Sequence, residues 1–285
     1  MIRNRFFVIL FGAWLGAAGL SPAPMAVAQG AKPAARTVEI NEKGEPLAKG
    51  AAGAADATSG TLRLLRELEA FHKNVKTIHA TFHQLRVDEV FREPVESEGK
   101  LWFDKPSSRF RADYANPDEM INLIVGNALY MYVKKLQQVD QYTYASAEER
   151  DQQLHELLIG FGFKADDLVR QYEIHSSADE PAVQSELERE KADLLKEKLD
   201  PDALWLFEIK PRAATAETSP FKQLKVAIDK TTHLPKKIWY KDQSDASMTL
   251  VMKSIELNTK LSDALFDKDK LFPPGTEFID KRNAP

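Results

Sequence analysis

Short segments in which apolar and polar residues alternate recur along most of this chain, and they constrain its fold more than any other sequence feature. A period of two predicts β-strands with one buried face. Successive segments are separated by turn residues such as Gly126-Asn127 and Asn116-Pro117, so neighbouring strands are expected to run antiparallel. The segments begin at residue 77 and continue at 99–104, 109–114, 121–125, 128–133, 203–210, 221–229, 236–241 and 246–257.

Helical periodicity precedes the first predicted strand and interrupts the series in its middle. Apolar residues recur every three or four positions between Leu62 and Val75, which predicts a helix from about Ser59 to Asn74. Ser146 and Glu149 have the spacing of a capping box, which predicts a helix that ends near Gly160. Further helices are expected at 165–171 and, highly charged, at 181–199. This order predicts an α+β fold, a large curved antiparallel sheet with helices on one face.

The amino terminus has the three parts of a secretory signal peptide. Arg3 and Arg5 form its basic region, an apolar run covers residues 6–20, and Ala26-Val27-Ala28 forms a small-residue cleavage site. The run is shorter than the roughly 20 residues that span a bilayer. We therefore expect residues 1–28 to be a cleaved signal peptide, residues 29–60 a flexible low-complexity lead, and residues 61–281 the folded domain of a periplasmic protein.

Composition narrows the classes of function. Residues 1–28 contain two Arg and no acid, so their removal leaves 37 Lys and Arg against 43 Asp and Glu. This mildly acidic balance does not predict binding to nucleic acid. The chain has no cysteine, which excludes disulfides, thiolate metal sites and a lipid-anchored amino-terminal cysteine.

The sequence offers no convincing catalytic or metal site. His155-Glu156 begins like a zinc-protease motif, but Ile159 stands where the second histidine belongs. His79 and His83 lie on one predicted strand, where four residues span roughly 13 Å, too far for one metal ion. Gly-x-Ser-x-Gly, P-loop and dinucleotide motifs are also missing from the sequence. We expect no enzyme activity, no cofactor and no bound metal.

Several motifs follow one another in a recognisable order. They read I-H-A-T-F-H-Q at 78–84, G-K-L-W-F-D-K-P at 99–106, G-N-A-L-Y-M-Y at 126–132, F-E-I-K-P at 207–211 and P-P-G-T at 273–276. This ordered set resembles the LolA family of periplasmic carriers of outer-membrane lipoproteins. The resemblance implies an incomplete β-barrel with a helical lid, closed over a hydrophobic cavity that holds acyl chains.

The resemblance also implies partners and a latch. The cargo is an acylated lipoprotein or another lipid, an inner-membrane ATP-driven complex releases it to the carrier, and an outer-membrane acceptor receives it. The carrier is expected to be a monomer. Lys105 stands at the family's basic position before Pro106, commonly Arg, and is the candidate lid latch. The charged segment at 181–199 resembles an insertion. A non-catalytic envelope lipid-binding or sensor module is the alternative function.

Large apolar residues on the predicted strands are the candidates for lining the cavity. They are Phe82, Leu101, Phe103, Phe110, Tyr114, Tyr130, Tyr132 and Leu206. The lid candidates are Leu154, Leu157, Leu158, Phe161 and Phe163, in a segment from Ser146 to Phe163 whose Gly160 and Gly162 suit a hinge.

Overall fold

A single sheet of twelve strands organises the molecule. The computed structural model describes residues 59–88, 93–157, 164–178 and 181–281. The strands are β1 Thr77–Val87, β2 Pro94–Asp104, β3 Arg109–Tyr114, β4 Met120–Val125, β5 Ala128–Val133, β6 Gln138–Thr143, β7 Tyr172–Ser176, β8 Leu204–Pro211, β9 Phe221–Asp229, β10 Pro235–Asp242, β11 Ser247–Leu257 and β12 Glu277–Asp280.

The strand order shows how the sheet is built. It runs β12-β6-β5-β4-β3-β2-β1-β11-β10-β9-β8-β7, so β1 and β11 join two meanders near the middle. Every pair is antiparallel except β12, which lies parallel to β6. The edge strands β7 and β12 do not pair with each other, so the curved sheet stays unclosed. The predicted α+β fold with an incomplete barrel is confirmed.

Six α-helices accompany the sheet in the described residues. They are α1 Ser59–Lys73, α2 Ala147–Leu157, α3 Ala165–Gln171, α4 Pro181–Arg189, α5 Lys191–Lys196 and α6 Lys268–Leu271. The predicted helices at 59–74 and 165–171 are present. The single helix expected at 181–199 is wrong, because the chain forms two helices separated at Glu190. Strands β6, β7 and β12 were not predicted.

The two faces of the sheet have different coverings. We call the face that bears Phe82 and Phe110 the inner face, because α1, α3 and Leu154 of α2 pack on it. The opposite, outer face is covered at two places. Helices α4 and α5 pack over β8 and β9 through Val183 and Leu194. The segment at 261–272 packs over β4, β5 and β6.

Arginines fasten the carboxy-terminal segment to the outer face. Arg109 on β3 donates to Asp104 and, at 2.8 Å, to Asp263, and its guanidinium lies 4.6 Å from the centre of the Phe266 ring. Arg111 donates to the backbone oxygen of Leu265 at 3.0 Å. Charge-assisted hydrogen bonds of this kind fix orientation as well as adding stability. The outer face of β3–β6 is thereby buried under the chain's own carboxy-terminal segment.

Candidate functional site

The inner face is one continuous apolar surface that crosses nearly the whole sheet. The apolar surface continues from strand to strand, because paired residues on neighbouring strands point to the same face and Phe82, Leu101 and Phe110 belong to such pairs. The buried strand residues of this inner cluster are Ile78, Ala80, Phe82, Leu101, Phe103, Phe110, Ala112, Tyr114, Ile124, Leu129, Met131, Ile174, Phe207, Ile209, Phe221, Leu224, Val226, Ile228, Ile238, Tyr240, Met248, Leu250 and Met252. Each of these residues is buried, and the helix residues of the same cluster pack against them.

Methionines are concentrated on this face. Within the described residues the chain has four, Met120, Met131, Met248 and Met252, and all four belong to the inner cluster or pack against it. Methionine is unbranched and polarizable, so it adapts to ligands of different shape. The methionines therefore make the packing of this face more adaptable than branched side chains would.

Helix α1 covers the β7–β10 half of the inner face. Leu64, Leu65 and Leu68 are buried in the inner cluster. Polar contacts fasten the same helix to that half, including a buried 3.0 Å hydrogen bond between the hydroxyls of Thr61 and Ser176. Glu69 accepts the backbone N–H of Ala165, the first residue of α3, at 3.1 Å.

Helix α2 is fastened to the other half of the sheet. Its amino terminus is capped as predicted, because Ser146 Oγ accepts the Glu149 N–H at 3.2 Å and the Glu149 carboxylate accepts the Ala145 N–H. Arg150 donates to the backbone oxygen of Gly126, in the β4–β5 turn, at 2.7 Å. Leu154 is buried in the inner cluster. The helices thus belong to different halves of one apolar face.

The remaining lid candidates lie at the edge of what is described. Leu157 ends α2, and only its backbone belongs to the described structure. Leu158, Phe161 and Phe163, together with the glycines at 160 and 162, lie outside the described residues.

The structure brings five of the eight cavity candidates together. Phe82, Leu101, Phe103, Phe110 and Tyr114 are all buried in the inner cluster. The Phe82 and Tyr114 rings meet edge to face, with centroids 5.4 Å apart. Burial raises the pKa of the Tyr114 phenol, which stays protonated at neutral pH.

Three cavity candidates lie on the outer face instead. Tyr130 and Tyr132 pack with Phe272 under the carboxy-terminal segment, and Leu206 packs under α4 and α5. Their expected placement on the cavity side was wrong, because both faces of these strands bear large apolar residues and residues one position apart lie on opposite faces. In β5 the inner-face residues are Leu129 and Met131.

Lys105 lies in the β2–β3 turn. The β4–β5 turn and the β9–β10 loop lie at the same end of the sheet, and we call this end the mouth end. Its backbone N–H donates to Lys76 O at 2.9 Å, and the side chain is half-buried. The Lys105 charge is one of the smaller causes that lower the pKa of His72. Among the described residues, no carboxylate lies within ion-pair distance of the Lys105 ammonium.

The histidines at 79 and 83 lie on the outer face, each beside a carboxylate. His79 is 3.5 Å from Glu256 and stacks on Trp102, and His83 is 3.4 Å from Glu96. No group of three or more His, Asp or Glu side chains with metal-binding geometry occurs in the described ranges. Nor does any helix in those ranges have the length and apolarity to cross a membrane.

These features define a class of protein. Its members have an open sheet, and helices cover the apolar inner face on both halves of that sheet. The family model for the outer membrane lipoprotein carrier protein LolA matches residues 73–200. The resemblance to the LolA family seen in the sequence is thus confirmed over this part of the chain. LolA-like proteins are periplasmic or secreted carriers and binding proteins for lipid or lipoprotein, and the fold indicates a function of this type.

Several solved structures are similar to this chain at low sequence identity. A conserved protein of Thermus thermophilus shares 10% identity at a TM-score of 0.44, covering 76% of this chain and 98% of that one. A LolA superfamily protein of Nitrosomonas europaea shares 10% sequence identity at a TM-score of 0.36, and the match covers 74% of this chain and 99% of that one. The lipoprotein LppX of Mycobacterium tuberculosis shares 10% sequence identity at a TM-score of 0.36, and the match covers 72% of this chain and 99% of that one. No curated protein matches the sequence significantly.

Proposed function

We propose that this chain is a periplasmic carrier that shields the acyl chains of lipoproteins, or of another lipid, and moves them from the inner to the outer membrane. The observation that carries the proposal is the continuous inner cluster, which joins the sheet to helices α1, α2 and α3. A helix layer can move away from a sheet without breaking the strand ladder. Acyl chains would enter between the helices and the inner face.

The energetics explain why such a carrier is needed. Each buried CH₂ contributes about 0.8 kcal/mol, so a 16-carbon chain costs on the order of 10 kcal/mol to expose to water. The inner face must cover that chain and later release it. In the structure the same face is covered by α1, α3 and Leu154. Cargo therefore exchanges one apolar covering for another, which keeps the net cost of opening small.

Export is a separate part of the proposal and rests on the sequence. Residues 1–28 would direct the chain across the inner membrane and be removed before Gln29, leaving residues 29–60 as a lead before the carrier domain at 61–281. Intact-mass measurement of protein from a periplasmic extract tests this. A mass that includes residues 1–28 would contradict it.

Binding of a fluorescent acyl probe by delipidated protein tests the inner face. Phe110 and Phe266 are matched, because each is a phenylalanine with 3% of its surface exposed, on the inner and outer face respectively. Truncation of either to alanine removes similar packing, about 3–5 kcal/mol. We expect Phe110→Ala to weaken probe binding at least fivefold and Phe266→Ala to leave it within twofold.

A charge on the inner face is the stronger perturbation. Phe110→Asp or Phe103→Asp is expected to abolish uptake of the probe, because an uncompensated carboxylate disfavours an apolar guest. Circular dichroism establishes that each variant is folded. Unchanged uptake in a folded variant would overturn the proposal for this face.

Handover separates a carrier from a sensor. Native mass spectrometry of the periplasmic protein should show copurifying lipid, and the loaded protein should release it to acceptor vesicles or to an outer-membrane extract. Binding without release to any acceptor would favour the envelope sensor over the carrier.

A further inference from the structure

His233 joins helix α1 to the sheet at the mouth end. Its Nε2 lies 3.2 Å from Oε1 of Glu67 on α1. Its ring stacks on Trp205 of β8, with centroids 5.9 Å apart and planes at 7°. The Phe71 ring of α1 also meets it edge to face at 5.5 Å. A single loop side chain therefore contacts both the helix and the strand beneath it.

The β9–β10 loop is shaped to present this histidine. His233 has a φ of +58°, which residues other than glycine rarely adopt, and its N–H donates to Asp229 O at 2.9 Å. The Asp229 carboxylate accepts the backbone N–H groups of Thr231 and Thr232 at 3.0 and 2.8 Å. Backbone strain persists where surrounding contacts hold it, and it is concentrated at clamps and switches.

The contact lies nearer the surface than the buried residues of the same helix. The His233 side chain is 21% exposed and that of Glu67 is 54% exposed, so water competes for the contact between them and the contact is weak. By contrast, Leu68 and His72 on the same helix are fully buried. Opening of α1 would first separate His233 from Glu67 and Phe71, before any strand pairing is lost.

We propose that His233 is the positioning residue that holds α1 closed over the inner face and so sets the rate at which acyl chains leave. The inference rests on the proposed function, since it concerns the gate of the same site. We call the contact of His233 with Glu67 and Phe71 the latch. It joins the β9–β10 loop to α1, on the half of the sheet to which α1 is fastened.

Substitution by asparagine tests the latch, because asparagine tolerates a positive φ and lacks the ring. His175→Ala is the matched control, since His175 also lies beside a carboxylate, 3.0 Å from Glu173, but both residues belong to β7. Hydrogen exchange of amides 64–73 in the ligand-free protein and the release rate of the acyl probe are measured.

We expect His233→Asn to accelerate both exchange of α1 and probe release about tenfold, with amides of β1 and β11 unchanged. Glu67→Gln should produce a smaller acceleration of the same two quantities, because the stack on Trp205 remains. His175→Ala should change neither. If His233→Asn unfolds, Glu67→Gln and Phe71→Leu test the contact from the side of α1, because they leave the β9–β10 loop intact.

Two outcomes overturn the latch. Exchange of α1 equal to that of the wild type would show that His233 does not hold the helix. Equal acceleration in α1, β1 and β11 would show that His233 contributes only to global stability. Failure of the proposed function is a separate result, because a wild type that binds no acyl probe still gives the exchange comparison.

Discussion

Gly99 on β2 gives the sharpest test of how the inner face is packed. A Cβ at this position would lie 2.4 Å from Cζ of Phe82 and 2.6 Å from the backbone oxygen of Asp113. The Phe82 ring can shift, but the Asp113 oxygen belongs to the β3 backbone and cannot. Gly99 is thus a site where a single methyl group disturbs both the ladder and a predicted cavity residue.

The magnitude follows from comparing two glycines. Insertion of a methyl group into a packed core costs about 1–3 kcal/mol, and the shifted ring would also lose its contact with Tyr114. We therefore expect Gly99→Ala to lower the free energy of unfolding by about 2–3 kcal/mol. Gly126 has no atom within 4 Å of such a Cβ but a φ of +60°. Gly126→Ala should cost about 1 kcal/mol, from the backbone conformation alone.

Urea unfolding followed by circular dichroism measures both variants. The slope of the free energy with denaturant should stay the same, so that the midpoint reports stability directly. Acyl-probe binding should weaken in Gly99→Ala, because the Phe82 ring moves on the inner face, and stay unchanged in Gly126→Ala. Equal stability of the two variants, or unchanged probe binding in Gly99→Ala, would refute the reasoning.

Three further predictions concern the helices and the mouth end. Lys105→Leu should impede lipid transfer to acceptor vesicles without lowering the free energy of unfolding, whereas Lys105→Arg retains charge and donors and should preserve transfer; a Leu variant that transfers like the wild type would leave Lys105 as a surface charge. Amides 150–157 of α2 should exchange faster than those of β1 and become protected when an acyl ligand binds, and equal protection with and without ligand would mark α2 as fixed core. Burial lowers the pKa of His72 from 6.5 to about 4. Between these two pH values the unfolded chain therefore binds more protons than the folded protein. The free energy of unfolding should fall by on the order of 3 kcal/mol as the pH is lowered from about 7.5 to about 4. His72→Gln should remove most of that dependence, and an unaltered pH profile would exclude His72 as its source.

Strand β5 illustrates how far the sequence could lead. Residues 128–133 form the predicted strand, and a hairpin at Gly126-Asn127 joins it to β4. Both faces of β5 bear large apolar residues, so its sequence does not say which face looks toward the helices. Leu129 and Met131 turn out to face inward, while Tyr130 and Tyr132 are buried by the carboxy-terminal segment. Nothing local to β5 signals that a segment more than a hundred residues later will cover it.

The His233 contact could not be predicted for the same reason. The stretch from Asp229 to Pro235 reads as a loop between neighbouring strands, and it is one. The positive φ and the approach of α1, which precedes this loop by about 160 residues, come from packing alone. A lone histidine in a polar loop carries no sequence signal that distinguishes a latch from a solvated side chain.

The sequence by itself determined the local properties of the chain, such as where most strands and helix α1 lie. Alternation defined most strands and three-to-four periodicity defined α1, because each depends only on residues near one another in the chain. The order of short motifs along the chain indicated the resemblance to the LolA family. The tertiary structure decided which face of each strand is the inner face and which helix covers which half of the sheet. These depend on contacts between distant segments, where a shift of one residue exchanges the two faces.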